Sequence, residues 1–196
     1  MFFNRNKNLS TVYTIGAPVL REHASPVAEI NDEIKEIASG MLEAMCVFNG
    51  IGLAAPQYGK SIRLVVFDVP GDHSTGTPGE MLLLPRMPMA VINPEIVASS
   101  SEKATSEEGC LSLPGVYAPV ERPEKVVFRA QTLDGEFFEV ECGGLLGRCI
   151  QHELDHLDGV LFSDRVSGED ARKIRGDLDR LKRDGQSKNF RRSKRI

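Results

Sequence analysis

The stretch Gln151-His152-Glu153-Leu154-Asp155-His156 contains His-Glu-x-x-His. On a helix this spacing sets two imidazoles four residues apart on one face. Both can then hold one metal ion, with a carboxylate beside the water that the ion activates. The chemistry specified is metal-assisted hydrolysis with Glu153 as general base. A lone histidine on an apolar face is usually a packed core residue. Two at i, i+4 with a glutamate between them are hard to account for by packing.

The third protein ligand of a catalytic site must come from elsewhere. The longer peptidase pattern continues to Gly159 and then fails, because Phe162 stands where a third histidine would be. No histidine follows His156, and the one later glutamate, Glu169, falls in the first turn of an expected terminal helix. His23 and His73 lie in poorly patterned segments. Cys110 is the better candidate, held in the tight run Glu107-Glu108-Gly109-Cys110-Leu111-Ser112-Leu113-Pro114-Gly115. Four cysteines in a chain without a secretory signal imply a reducing compartment where thiols are available to metals. Cys46, Cys142 and Cys149 read as small buried hydrophobes.

Three segments in this order resemble bacterial peptide deformylases: Gly50-Ile51-Gly52-Leu53-Ala54-Ala55-Pro56-Gln57, Glu108-Gly109-Cys110-Leu111-Ser112, and Gln151 to His156. The resemblance runs from about Val19 to Asp164. It implies Cys110, His152 and His156 as metal ligands, Glu153 as general acid/base, and Gln57 with the Leu111 N–H as oxyanion donors. It implies Fe(II) as the native metal, although a thiolate with two imidazoles also suits Zn, Ni or Co. It further implies N-formylmethionyl peptides as substrate and formate as product.

Each transfer has a physical reading. Gln57 offers a neutral amide donor to a carbonyl oxygen that becomes negative as water attacks. Gly50 and Gly52, having no Cβ, let backbone approach a ligand; the bland alternative is a helix stop followed by a tightly packed small-residue strand. Glu108 and Gly109 directly precede the candidate ligand and are expected to contact the substrate; the bland alternative for Glu108 is a loop carboxylate paired to an arginine. Ile51, Leu145 and Cys149 are the expected walls of an apolar pocket for the first side chain, with Tyr117 against the peptide backbone. Two rivals stand beside this reading: a zinc peptidase cutting internal bonds, and a ribosome- or RNA-binding protein with a structural metal.

The elements that must position these residues follow from periodicity. Leu145, Cys149, His152 and His156 form one stripe, Leu146, Ile150, Glu153 and Leu157 the next, and Arg148, Gln151, Asp155 and Asp158 a polar third. Gly143-Gly144 precedes this helix and Gly159 ends it. Residues 31–50 read as an amphipathic helix capped by Asn31. Ile62 to Val69 reads as a buried strand, and Met89 to Asn93 as a short one stopped by Pro94. Lys125 to Thr132 and Glu136 to Cys142 flank the turn Asp134-Gly135 and predict a hairpin. Pro70 to Pro88 reads as an inserted loop, either a mobile surface loop or a flap over the cleft. The fold class is α+β: mixed or antiparallel sheets around a central HExxH helix, with an N-terminal and a C-terminal helix.

The mean hydropathy of −0.21 and the absence of a long apolar run exclude a membrane-spanning class. The cytoplasm is expected. The acid-free, basic first 21 residues leave an organelle as the minor alternative. One catalytic domain is expected over residues 1–181, with a helix over about 167–184 carrying Ala171, Ile174, Leu178 and Leu181 as a narrow seam. From Lys182 onward seven basic residues stand against one acid, a net charge of +6; the whole chain is −4, so the preceding residues carry −10. Residues 185–196 are expected to form a flexible basic tail suited to a polyanion. The resemblance points to the ribosome, since deformylases with an extended C-terminal helix can contact it there.

Overall fold

The computed structural model describes residues 9–71, 75–187 and 191–195. Helix α1, Asp32–Val47, starts where the Asn31 side chain accepts from the Ile34 N–H at 3.0 Å. It ends before Asn49, which takes φ 55°. Strand β1, Leu9–Tyr13, lies ahead of it, and β2, Gly52–Ala54, and β3, Leu64–Phe67, follow. All four β3 residues are buried because both sheet faces are covered. Leu64 and Val66 pack with Met41 and Met45 of α1, whereas Val65 and Phe67 face the opposite core.

That opposite core is closed by α3, Gly144–Leu157, through Leu146, Ile150, Leu154 and Leu157. The sheet between the two helices is antiparallel, in the order β2-β3-β4-β7-β8. It is completed by β4, Met89–Ser99, and by the hairpin of β7, Val126–Thr132, and β8, Phe137–Cys142, whose turn carries Gly135 at φ 90°. A separate hairpin pairs β5, Lys103–Cys110, with β6, Leu113–Pro123. The inward face of β6 packs under the short α4, Phe162–Arg165, and the long α5, Gly168–Ser187. No helix among the described residues is long and apolar enough to cross a membrane.

Five sequence expectations are corrected. Pro94 does not stop β4: the chain bulges at Asn93, φ 48°, whose side chain bonds the Val27 N–H and C=O, and pairing resumes at Glu95. The segment around Cys110 is a strand pair, not a loop. Within the supposed insertion, Pro78–Leu83 forms α2 against β8, and none of its described residues lines the cleft described below. Cys46 is exposed, not buried. The tail does not trail free, since Arg191–Arg195 forms β9 and pairs antiparallel with β1. His73 lies outside the described residues.

Candidate active site and metal centre

Cys110 is the last residue of β5, where pairing with β6 slips register between Gly109 and Cys110. Such a slip re-aims a side chain, here toward α3. Its Sγ lies 3.2 Å from His156 Nε2. One donor atom from each of Cys110, His152 and His156 lies within 4.8 Å of the others, a grouping that fits a metal ion. A thiolate and two imidazoles are the donor set of Zn and of other late first-row divalent ions. The remaining ring nitrogen of His152, Nδ1, is 2.9 Å from Glu108 Oε2, which fixes the ring's orientation as metal ligands generally require. Among the described residues, His156 Nδ1 is buried without a partner.

Glu108 belongs to a buried charge network. Arg122 clamps it at 2.6 and 2.8 Å, and Arg148 adds a bond of 2.8 Å. The third Arg122 nitrogen, Nη1, reaches Asp155 at 2.9 Å, and Arg165 clamps that same carboxylate. Burial would raise Glu108, but hydrogen bonds and charge from Arg122 and His152 hold it well below the usual carboxylate range.

Glu153 is the opposite case. It is 3% exposed, and its Oε2 has no hydrogen-bond partner among the described residues. Burial pushes it up to about 7 against the lowering influence of His152 and Arg122. Gly52 makes its place: a Cβ there would sit 2.5 Å from Glu153 Oε1 and 2.8 Å from Cys149 Sγ. His156 is held well below its ordinary value by burial and by the His152 cation. In His152 burial acts the same way, but Cys110 and Glu108 outweigh it and draw a proton there. A cation bound at the same three donors would displace that proton.

Gln57 is buried, and its Oε1 accepts from the Ala54 N–H at 2.8 Å. The amide is therefore oriented, with Nε2 3.2 Å from Ser112 Oγ and 3.5 Å from Cys110 Sγ. The N–H that reaches the Cys110 sulfur is that of Ser112, at 3.3 Å. The Leu111 side chain covers Gly50, where a Cβ would meet its Cδ1 at 2.8 Å.

These groups line one cleft of about 480 Å³. Gly50, Ile51, Gly52, Gln57, Glu108, Gly109, Cys110, Leu111, Tyr117, Leu145, Cys149, His152 and Glu153 all border it, so the sequence-selected residues converge there except His156, which stands behind Cys110. The two readings of the Gly50 segment hold together, since α1 ends there and β2 follows as a buried strand bordering the cleft. Phe162 is buried and stacks on His152 at 6.1 Å between ring centres, as support and not as a ligand.

The polar stripe of α3 does not face water: Gln151 and Asp155 are buried. Sequence reasoning missed Arg122, Ser112, Arg165 and the cleft residues Phe48, Asn49 and Arg192. Arg122 had a readable signal, because alternation along Val116, Ala118 and Val120 puts it on the buried face of β6. Arg192 had none, since nothing local tells a basic tail which strand it will pair with.

Comparison with known proteins bears on this site. The family model described as polypeptide deformylase matches residues 9–172. Peptide deformylase 2 of Gloeobacter violaceus is 45% identical over 158 residues, covering 81% of this chain and 79% of that protein. A peptide deformylase of Alkalilimnicola ehrlichii is 44% identical over 169 residues, covering 86% and 88%. The crystal structure of a Synechococcus elongatus peptide deformylase in complex with actinonin superposes with a TM-score of 0.74 at 40% identity, covering 86% of this chain and 84% of that one.

Proposed function

The chain belongs to the polypeptide deformylase family, whose members are metal-dependent hydrolases, and on that premise we propose that it releases formate from the N-terminal N-formylmethionine of nascent polypeptides. The observation that carries the assignment to this cleft is the pairing of the Cys110/His152/His156 cluster with a buried carboxylate, Glu153, that keeps one oxygen without a partner. A divalent ion held by the three donors would supply Lewis acidity and a water acidified to near neutrality.

The chain's own groups do the rest. Glu153 takes the proton of the attacking water and returns it to the leaving amine; an ordinary value raised to about 7 suits both directions near neutral pH. Gln57 Nε2, aimed by the Ala54 bond, and the Leu111 N–H donate to the formyl oxygen as it becomes negative. Ile51, Leu145 and Cys149 receive the methionine side chain. Burial drives Cys149 well above its ordinary value, so it stays a neutral, apolar thiol. Tyr117, 61% exposed at the rim, lies against the peptide backbone.

The native ion in this reading is Fe(II), and the enzyme works in the cytoplasm. The ribosome is its docking partner, through the basic C-terminal segment, whose residues from Lys182 onward carry a net charge of +6. Formate release from a formyl-Met peptide, with an unformylated control and with chelator, tests the activity: loss on chelation and no cleavage of the control are expected. Internal cleavage of the control would reinstate a peptidase. Metal analysis of anaerobically purified protein and inactivation by air test the iron. Salt-sensitive co-sedimentation with ribosomes tests the docking.

A further inference from the structure

The C-terminal strand brings a cation into the substrate cleft. β9 pairs with β1 so that Arg192 stands opposite Val12. Alternation along the strand puts Arg192 and Lys194 on one side, both over the Phe48 ring, at 4.6 and 5.1 Å from its centre. Arg191 lies on the other, over Tyr13 at 5.6 Å. Lys194 is committed, since its Nζ donates to the Val47 carbonyl at the C-terminal end of α1. Arg192 is not used in this way. It borders the cleft together with Phe48, Cys110 and Tyr117, and its Nε is buried with no hydrogen-bond partner among the described residues.

An arginine held over an aromatic ring keeps its positive charge and its N–H groups for an acceptor. Half-buried at the cleft wall, this charge is screened less by water and salt than a fully exposed one, and so attracts an anionic group of a bound peptide more strongly. In the deformylase reading the formyl end sits beside Glu153 and Gln57, and the methionine side chain enters the pocket of Ile51, Leu145 and Cys149. The peptide beyond the methionine then leaves past the rim where Arg192 and Phe48 stand.

We propose that Arg192 is a specificity-determining residue that selects formyl peptides carrying a carboxylate side chain in the positions just after methionine. The inference rests on the deformylase reading and deepens it. Arg192 lies beyond residues 9–172, the stretch that the family model matches. The other charges bordering the cleft do not cancel it. Glu108 and Arg148 are bonded to each other, and Glu153 lies at the floor beside the metal donors. Glu107 is exposed, so its repulsion of an acidic side chain is more strongly screened than the attraction of the half-buried Arg192.

The test compares kcat/KM on C-terminally amidated formyl-Met peptides with Asp or Lys at the second or third position. Wild type, Arg192→Ala and Arg192→Glu are assayed at low salt, and the readout is the Asp/Lys ratio within each protein, which cancels any loss of folded enzyme. Wild type should prefer Asp by about fivefold, as one partly screened charge pair would give, chiefly through KM. Arg192→Ala should bring the ratio near one and Arg192→Glu should invert it. A wild type without the preference, or the same ratio in wild type and Arg192→Glu, overturns the proposal while leaving the deformylase reading standing. No formate from any peptide with wild type overturns both.

Discussion

Glu108 and Glu153 are both buried glutamates beside the same histidine, and they are treated in opposite ways. Glu108 accepts from Arg122, Arg148 and His152, and those partners hold it ionised far below its ordinary range. Glu153 keeps an oxygen with no partner, and burial raises it to about 7. A carboxylate saturated with fixed donors cannot take up a proton without losing them, so it serves as a brace. One left unsatisfied is costly to fold around and is poised for proton transfer. The two faces of α3 divide accordingly: the cleft side carries reactivity, and the Arg122 side carries rigidity.

The largest expected effect tests the reactive member. Glu153→Gln keeps the shape and removes the base, so kcat should fall by about 10²- to 10⁴-fold as for a positioned general base. Metal content should be unchanged and stability equal or slightly higher, because the strain of a buried acid is relieved. Formate assay, metal analysis and thermal unfolding on one preparation check all three. Turnover within tenfold of wild type would end the assignment of Glu153 as base.

The mirror experiment is Glu108→Ala, which leaves the Arg122 guanidinium buried with half its partners gone. Removing one partner of a buried ion pair costs about 3–5 kcal/mol. The loosened His152 should also weaken metal affinity by about 10- to 100-fold. Urea unfolding and competition with a chelator measure these. A variant as stable as wild type that still holds metal tightly would show that the network is decoration. Between the two lies Gly52→Ala, whose Cβ would sit 2.5 Å from Glu153 Oε1. Displacing the base by about an ångström should cost roughly 10²-fold in kcat, with a smaller change in unfolding free energy than Glu108→Ala causes.

How much of this was legible follows the same division. The reactive side was written locally: His-Glu-x-x-His, Cys110 between glycines, and Gly-Ile-Gly-Leu-Ala-Ala-Pro-Gln each fit within eight residues. The bracing side is long-range. Arg122 meets Asp155 only because β6 and α3 pack, and no local pattern pairs residues 33 apart in sequence. The same cause hid the second half of β4, since Asn93 and Pro94 read as a stop until Val27, 66 residues away, supplies the bonds that carry the strand through its bulge. Charge misled twice, because Asp155 was read only as part of a polar stripe and the basic tail as a flexible segment, while their partners lie on other elements.

Glu80 supplies the smallest and sharpest refinement, because it is saturated without any arginine. It is 1% exposed and accepts from the Thr77 hydroxyl at 2.6 Å, the Thr77 N–H at 2.9 Å, and the Thr75 hydroxyl and N–H at 2.7 and 2.8 Å. Burial raises it, but these bonds outweigh burial and leave it below its ordinary value. Thr77 Oγ1 also receives the Gly143 N–H at 3.2 Å, so the cluster ties α2 to the start of the helix that bears the histidines. If saturation makes a brace regardless of the donor's charge, Thr77→Val should cost about 1–2 kcal/mol of stability and leave kcat/KM nearly unchanged. The pH dependence has a definite sign. A carboxylate whose value is lowered by folding stabilises fully above its unfolded value, and that contribution is lost as pH falls through the folded one. Wild type should therefore lose part of its advantage over Thr77→Val on acidification below about pH 4.5, measured as converging urea midpoints. Parallel midpoints from pH 7 to pH 3 would mean that the threonine contributes by packing alone. A fall in kcat/KM as large as that of Gly52→Ala would show that the start of α3 is part of the reactive face, and the division between the two sides of the helix would have to be redrawn.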